Sequence, residues 1–252
     1  MSRLLLEGDD FGLTPAVSAT LLELLAAGQL TATNCMPTMP EFPAAVAAAK
    51  AAGITAMGIH FILDRHRPAS APATIPSLVD SRGLLLPWAQ VQAKAAAGRL
   101  VPAEVQKELV AQLRLARQAG LAIDHITTHH AFVNASPMLA ATVENIARTE
   151  RLPMRNNFAA PLRGIAMPDH HANLAHDAGA TAALMATIAA LPEAATLEVV
   201  CHPGRVTPAL LERSSLTTGR EADARVLQSP ALAALIAAQP GLTLIGWAAV
   251  TA

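Results

Sequence analysis

The sequence predicts an α/β fold, with about seven parallel strands and surrounding helices. Three observations predict it. Short β-rich or continuously apolar runs alternate with Ala/Leu-rich segments of helical length along the 252 residues. Several helix starts and stops carry capping residues, prolines and glycines. Polar residues gather where the apolar strands end. Such alternation implies a parallel sheet, closed as a barrel or open and doubly wound. No glycine-rich phosphate loop follows the first strand, which weighs against the dinucleotide-binding version.

In order, Arg3–Gly8 reads as the first strand, and Thr14-Pro15 opens a helix over Ala16–Ala27 that stops at Gly28. Leu30–Met36 is the second strand, Pro43–Ala52 a helix closed by Gly53, and Ile54–Ile62 the third strand. The Pro-rich stretch Arg65–Pro76 is too irregular for a core element. A helix over Pro102–Ala119 ends at Gly120, before a fourth strand at Ile123–Thr128. Ser136-Pro137 opens a helix over Pro137–Glu150, and Leu152–Asn156 reads as the fifth strand. The irregular segment Phe158–Asp177 leads to a helix at Ala180–Ala190 and a sixth strand at Leu197–Cys201. Ser229-Pro230 opens the last helix, Pro230–Gln239, and Leu242–Trp247 is the seventh strand. The two irregular segments follow strands and are candidate active-site loops. No composition shift marks a boundary, so one domain over 1–252 is expected.

Hydrophobic residues make up 52% of the chain, which excludes a disordered protein. Lys and Arg number 18 against 19 Asp and Glu, for a net charge of −1 without basic or acidic runs, so no nucleic-acid partner is expected. The most apolar stretch, Thr181–Val200, is broken by Pro192 and Glu193, and no membrane span is expected. The run Leu4-Leu5-Leu6 turns acidic at Glu7, too soon for a signal-peptide core, and a cytoplasmic location follows as the expectation. Cys35 and Cys201 are far apart and outside any C-x-x-C pattern, and read as buried small hydrophobes. With no Tyr and 3% aromatics, a sugar site would rely mainly on hydrogen bonds. The Ala/Leu-rich helices leave room for a homodimer surface.

Asp9-Asp10 follows the first strand, His60 sits near the end of the third, His129-His130 follows the fourth and His202 the sixth. Singly, each has an ordinary explanation as a helix cap, a core histidine or loop surface. Jointly they fall on one face of a parallel barrel, the face that carries active sites. Two adjacent carboxylates repel unless a cation joins them. One carboxylate and two imidazoles suit zinc or another first-row metal with open positions for water and substrate. The other carboxylate is then a general base, and His202 is placed to protonate a leaving amine. Metal, base and acid together describe hydrolysis of an amide-like bond.

At these residues the chain resembles the YdjC-like carbohydrate deacetylase family, which includes chitooligosaccharide deacetylases and deacetylases of hopanoid biosynthesis. The segments that carry the resemblance are Asp9-Asp10-Phe11-Gly12, Gly28-Gln29-Leu30-Thr31, Gly58-Ile59-His60-Phe61, the loop Ser77–Asp80 with Gly83, and Asp124–Ala131. Pro153-Met154-Arg155, Glu198–Gly204, Ser214-Ser215 and Arg220-Glu221 continue it. Thr127 stands where the family usually has an acidic residue, and Ala131 where it has a third histidine. The resemblance implies a distorted TIM-like barrel with fewer than eight full βα units, and a divalent metal, zinc or magnesium, on Asp10, His60 and His129, with Asp9 as base and His202 as acid. It also implies that Arg155 binds substrate or positions a carboxylate. His130 is the second substrate-binding candidate, and the substrate implied is an N-acetylated amino sugar, as an oligosaccharide or glycolipid head group. His125 reads as deeper core packing; His66, His170, His171 and His176 sit in irregular loops without ligand spacing. Two competing readings stand beside this one: another metal-dependent amidase or phosphoesterase, and a degenerate barrel that binds a sugar without turnover.

Overall fold

The computed structural model describes residues 1–64, 66–158 and 162–250. Arg65, at the start of the first irregular stretch, residues 159–161 of the second, and residues 251–252 lie outside the described residues. The strands are β1 (Ser2–Phe11), β2 (Ala32–Cys35), β3 (Ala56–Phe61), β4 (Ala122–Thr128), β5 (His170–Asn173), β6 (Thr196–Cys201) and β7 (Leu242–Leu244). They form one sheet in the order β4-β3-β2-β1-β6-β5, with β7 also on β1. The pairings between these strands are all parallel, as crossover helices require. The helices are α1 (Pro15–Ala26), α2 (Phe42–Ala51), α3 (Trp88–Ala96), α4 (Pro102–Gln118), α5 (Pro137–Glu150), α6 (Ala180–Ala189), α7 (Pro208–Arg213), α8 (Thr218–Leu227) and α9 (Pro230–Ala237). Thr14 and Ser136 cap as expected, accepting from the N–H of Val17 and Leu139, whereas Ser229 makes no side-chain cap bond. Among the described residues no helix is long and apolar enough to cross a membrane.

One strand moves relative to the sequence reading. Leu152–Asn156 makes only a single parallel bridge, Met154 against Ile126, and the sheet's fifth strand is His170–Asn173 within the segment read as irregular. Pro153 has no N–H to give a ladder, and its carbonyl accepts from Ile126. Arg155 N–H bonds Ile126 O at 3.0 Å, and Met154 N–H bonds Ala166 O at 3.0 Å. The segment thus stands between β4 and the chain leading into β5, across the gap between the two ends of the sheet. The helices α3, α7 and α8 were also not expected; α7 is opened by Thr207, whose side chain accepts from Leu210 N–H.

Side chains alternate along each strand, so each strand divides into an outer and an inner set. Outward, Leu4, Leu6, Met57, Ile59, Ile126, Leu197 and Val199 pack in the large apolar core with the helices. Gly8 also faces this layer, where a Cβ would collide with Leu21 Cδ2. Inward the column is polar: Glu7, Asp9, Asn34, His60, His125, Thr127 and Glu198 are all buried. Below them Leu5, Trp247 and Val250 form a separate small apolar cluster.

Glu7 shows how tightly the sheet is rolled. Its Oε1 accepts from Asn34 Nδ2 at 2.8 Å and faces His125 Nε2 at 3.0 Å, while Oε2 accepts from Trp247 Nε1 at 2.7 Å. In the strand order β4 lies beyond β2 and β3 from β1, so direct contact between Glu7 and His125 requires a barrel-like curl. His125 also meets Asp124 Oδ1 at 2.6 Å through Nδ1, and its ring stacks on Trp247 with centroids 4.2 Å apart. Burial alone would lower its pKa, but Glu7 and Asp124 overcome this and raise it to about 9, giving an imidazolium that donates from both nitrogens. Gly58 makes room for the ring, because a Cβ there would collide with His125 Nε2.

Gly58→Ala is therefore expected to lower stability by about 1–3 kcal/mol in urea unfolding, with a smaller penalty in a His125→Ala background. Equal penalties in both backgrounds would show that the ring is not what fills this space. Because the folded-state pKa of His125 is raised from 6.5 to about 9, its contribution is complete below the lower value and lost as pH rises through the higher. The stability difference between the wild type and His125→Gln should shrink over that window, measured in chelator; a difference that grew with pH would contradict the ion pair.

Candidate active site

The site lies at the C-terminal ends of the strands, and a backbone irregularity in β1 builds it. Gly8 pairs with Thr33 and Phe11 with Cys35, so three steps on β1 oppose two on β2. Asp10 takes a left-handed φ of 75° in this bulge. Strict alternation would turn Asp9 and Asp10 to opposite faces. The bulge instead brings both carboxylates to the inner side.

Asp10 Oδ1 lies 3.2 Å from His129 Nδ1 and 3.4 Å from His60 Nε2, and the two nitrogens are 3.2 Å apart. Asp10 Oδ2 is held by Arg220 Nη2 at 2.5 Å, whereas Oδ1 is buried with no hydrogen-bond partner. The Thr127 hydroxyl donates to Ile59 O at 3.3 Å, so its oxygen accepts from His60 Nδ1–H at 2.7 Å. That bond assigns the proton to Nδ1 and leaves Nε2 bare toward Asp10 and His129. Burial, resisted by Asp9 and Asp10, depresses the His60 pKa to about 3, so the ring is neutral. Burial works to raise the Asp10 pKa, but the Arg220 guanidinium overcomes it and holds the carboxyl ionised. Donor atoms around a tetrahedral ion with bonds of ~2.0–2.1 Å stand ~3.3–3.4 Å apart. One carboxylate oxygen and two imidazole nitrogens at the observed separations fit a divalent metal.

Asp9 is held differently. Its Oδ1 accepts from Asn34 Nδ2 at 2.6 Å and Arg155 Nη2 at 2.8 Å, and Oδ2 accepts from Arg155 Nη1 at 2.8 Å. Oδ2 also faces His202 Nε2 at 3.8 Å and His60 Nε2 at 3.9 Å. Burial opposes ionisation of Asp9, but the Arg155 guanidinium wins and keeps its pKa well below the usual carboxylate range. Arg155 gives its Nε–H to Glu198 Oε1 at 2.7 Å, and burial, only partly offset by Arg155, pushes the Glu198 pKa up to about 7. Three donors of Arg155 are thus committed to carboxylates. Of the two roles left open for it, positioning a carboxylate is the one its contacts match.

Burial depresses the pKa of His202, whose backbone N–H donates to Asp223 Oδ2 at 2.7 Å. Asp223 Oδ1 meets His176 Nδ1 at 2.7 Å. Asp9, His60, His129, His130, Arg155 and His202 line one cavity of about 390 Å³, with Asp10 immediately behind it. His130, at the cavity wall, has a left-handed φ of 54°, stacks on Trp88 and lies 3.3 Å from Asp64 Oδ2. All seven site residues expected from the sequence therefore converge.

Further residues join them. The sequence leaves His171 in an irregular loop, as surface or as a substrate contact, and alternation along β5 turns it and Asn173 into the cavity wall. His176, also read as loop, is tied to Asp223. Asn34, Arg220 and Asp223 brace the functional groups. A signal for Asn34 existed in retrospect: it is an amide in a buried strand, in register with the acidic residues of β1.

A family model described as YdjC-like protein matches residues 3–238. A carbohydrate deacetylase of Geobacillus stearothermophilus is 31% identical over 247 residues, covering 96% of this chain and 95% of the relative. A chitooligosaccharide deacetylase of Serratia marcescens is 30% identical, covering 93% and 94%. A crystal structure from Enterococcus faecalis V583, given the working name cellobiose-phosphate cleavage protein, superposes with a TM-score of 0.90 at 25% identity, covering 100% and 99%. A family 4 carbohydrate esterase of Streptomyces lividans, in complex with acetate, shares the fold at a TM-score of 0.50 and 13% identity, covering 98% and 95%.

Thr127→Val removes the acceptor that orients His60 and should weaken binding of Zn²⁺ by roughly 10–100-fold in calorimetric titration. Thr127→Asp restores an acceptor and should retain affinity. Unchanged affinity in the valine variant would show that Thr127 does not orient the ring.

Proposed function

This chain belongs to the YdjC-like family, and on that premise we propose that it is a metal-dependent deacetylase of N-acetylated amino sugars. The observation that carries the reading is the joint presence, in and immediately behind one cavity, of a three-donor metal set, a clamped carboxylate and a half-buried histidine. The names of the Geobacillus and Serratia relatives support the substrate class. Asp10, His60 and His129 would hold the ion, which when bound polarises an acyl oxygen and makes water more acidic.

The chain's own residues divide the remaining work. Arg155 keeps Asp9 ionised, and Oδ2, the oxygen nearest His202, takes the proton from the attacking water. The new C–O bond forms at the acetyl carbon as the C–N bond breaks. His202 Nε2, 3.8 Å from Asp9 Oδ2, takes up that proton from Asp9 and passes it to the departing amine nitrogen, leaving both side chains as they began. Acetate and a free amino sugar result, with one water consumed. His171 and Asn173 offer hydrogen bonds from the cavity wall to sugar hydroxyls. Cys35 and Cys201 are buried free thiols, which suits work in the reducing cytoplasm.

Purified protein should release acetate from N-acetylated mono- or oligosaccharides, and chelator should abolish it. Release of phosphate from sugar phosphates without acetate release would instead favour a phosphoesterase. Asp9→Asn should cut turnover by roughly 10²–10⁴-fold with metal retained, whereas Asp10→Ala should lose the metal. Equal metal loss in both would refute the division of roles. His202→Ala should slow turnover without emptying the metal site; undiminished acetate release would remove it as the acid.

A further inference from the structure

We infer that Asn34 is the positioning residue that keeps Asp9 and Asp10 in separate roles. The inference rests on the deacetylase reading and extends it to a residue of β2 that belongs neither to the three-donor set nor to the cavity lining. Asn34 is fully buried, on the inner face beside the β1 bulge. Its Nδ2 donates to Asp9 Oδ1 at 2.6 Å and to Glu7 Oε1 at 2.8 Å. Its Oδ1 accepts from the backbone N–H of Asp10 at 3.4 Å.

These three bonds require an amide. A group facing two carboxylates must donate on that side, and the bulged N–H needs an acceptor on the other. Aspartate would set a third carboxylate against Glu7 and Asp9. Leucine would leave the Asp10 N–H without this acceptor and both carboxylates short of a donor. The amide cannot turn over, because its orientation is fixed by Glu7, itself held by His125 and Trp247.

Each bond has a consequence for the chemistry. With Asn34 and Arg155 both on Asp9 Oδ1, that oxygen is saturated, and Oδ2 is the one turned toward His202. The bond to Asp10 N–H supports the left-handed turn that swings Asp10 Oδ1 toward His60 and His129. One side chain thus holds the first carboxylate back from the metal set and helps bring the second into it.

The experiment compares Asn34→Ala, Asn34→Asp, the pair Asn34→Asp with Glu7→Gln, and Thr33→Ala. Thr33 lies on the other face of β2, where its hydroxyl donates to Gly8 O, and serves as a control for destabilisation alone. Three quantities are measured: Zn²⁺ affinity by calorimetry without substrate, thermal midpoint, and kcat and KM for acetate release at saturating metal. Asn34→Ala should lose roughly 10–100-fold in metal affinity and at least about 10-fold in kcat, with KM nearly constant. Thr33→Ala should retain both affinity and kcat despite a lower midpoint. In the double variant the introduced amide on β1 can donate to the introduced carboxylate on β2, so the midpoint should recover relative to Asn34→Asp. Its kcat should stay low, because that carboxylate still opposes Asp9.

Metal affinity and saturating kcat of Asn34→Ala both within about twofold of wild type would overturn the inference, as would recovery of kcat together with the midpoint in the double variant. If Asn34→Ala does not fold, Asn34→Ser is read in the same assays. A wild type that binds metal but releases no acetate defeats the deacetylase reading alone, and the affinity comparison then decides the role of Asn34.

Discussion

A carboxylate at the centre of the barrel constrains everything around it. Glu7 is fully removed from water, and a buried charge is tolerated only when it is paired and hydrogen-bonded. Its three partners come from β2, β4 and the turn after β7. Satisfying Glu7 therefore pulls distant parts of the chain to one point and rolls the sheet. The same constraint acts on the groups above it. Glu7, Asp9, Asp10 and Glu198 bring four carboxyl groups inside, against the cations Arg155, Arg220 and protonated His125. Asp10 Oδ1 faces His60 and His129 without a hydrogen-bond donor, and a divalent cation is best accommodated there.

The two faces of the sheet do different work. The outer face, packed against the helices, buries most of the apolar surface and supplies the driving force for folding. The inner face adds little net stability, since buried ion pairs roughly balance their desolvation against their attraction. Its contribution is geometric. Arg155 joins Asp9 to Glu198, Arg220 joins Asp10 to the 214–216 segment, and Asn34 joins Glu7 to both aspartates. Each functional carboxylate is thereby held at two or more points before substrate arrives.

Much of this was legible in the sequence because the outer face follows simple periodicity. Apolar runs marked β1 to β4, β6 and β7, and the Asp and His residues at their ends marked the site. Polar β5 escaped notice because its inner residues, His171 and Asn173, line the cavity instead of an apolar core, and its outer face is only half covered. Leu152–Asn156 misled for the opposite reason: it is apolar enough for a strand, but Pro153 and the side-chain bonds of Asn156 to Pro168 O and Asp169 O spoil the ladder. The left-handed turn at Asp10 could not be placed from the sequence, since aspartate is only enriched at positive φ and nothing distinguishes Asp10 from Asp9 locally. Bracing by Asn34, Arg220 and Asp223 depends on contacts between distant elements, which periodicity does not encode.

Strand β1 has neighbours on both edges: β2 and β7 on one, β6 on the other. The β2 partner is close in sequence, but the bond from Trp247 to Glu7 spans 240 positions. Contacts of such separation form late, because a long loop must close before they stabilise anything. A growing polypeptide therefore carries Asp9, Asp10, His60 and His129 well before the floor beneath them exists. Until residues 196–201 and 242–247 are added, one edge of β1 is open and Glu7 lacks its indole donor. Chain synthesis and the maturation of metal affinity are thus separated in time, and a truncated product would hold every ligand yet lack part of the support that orders them.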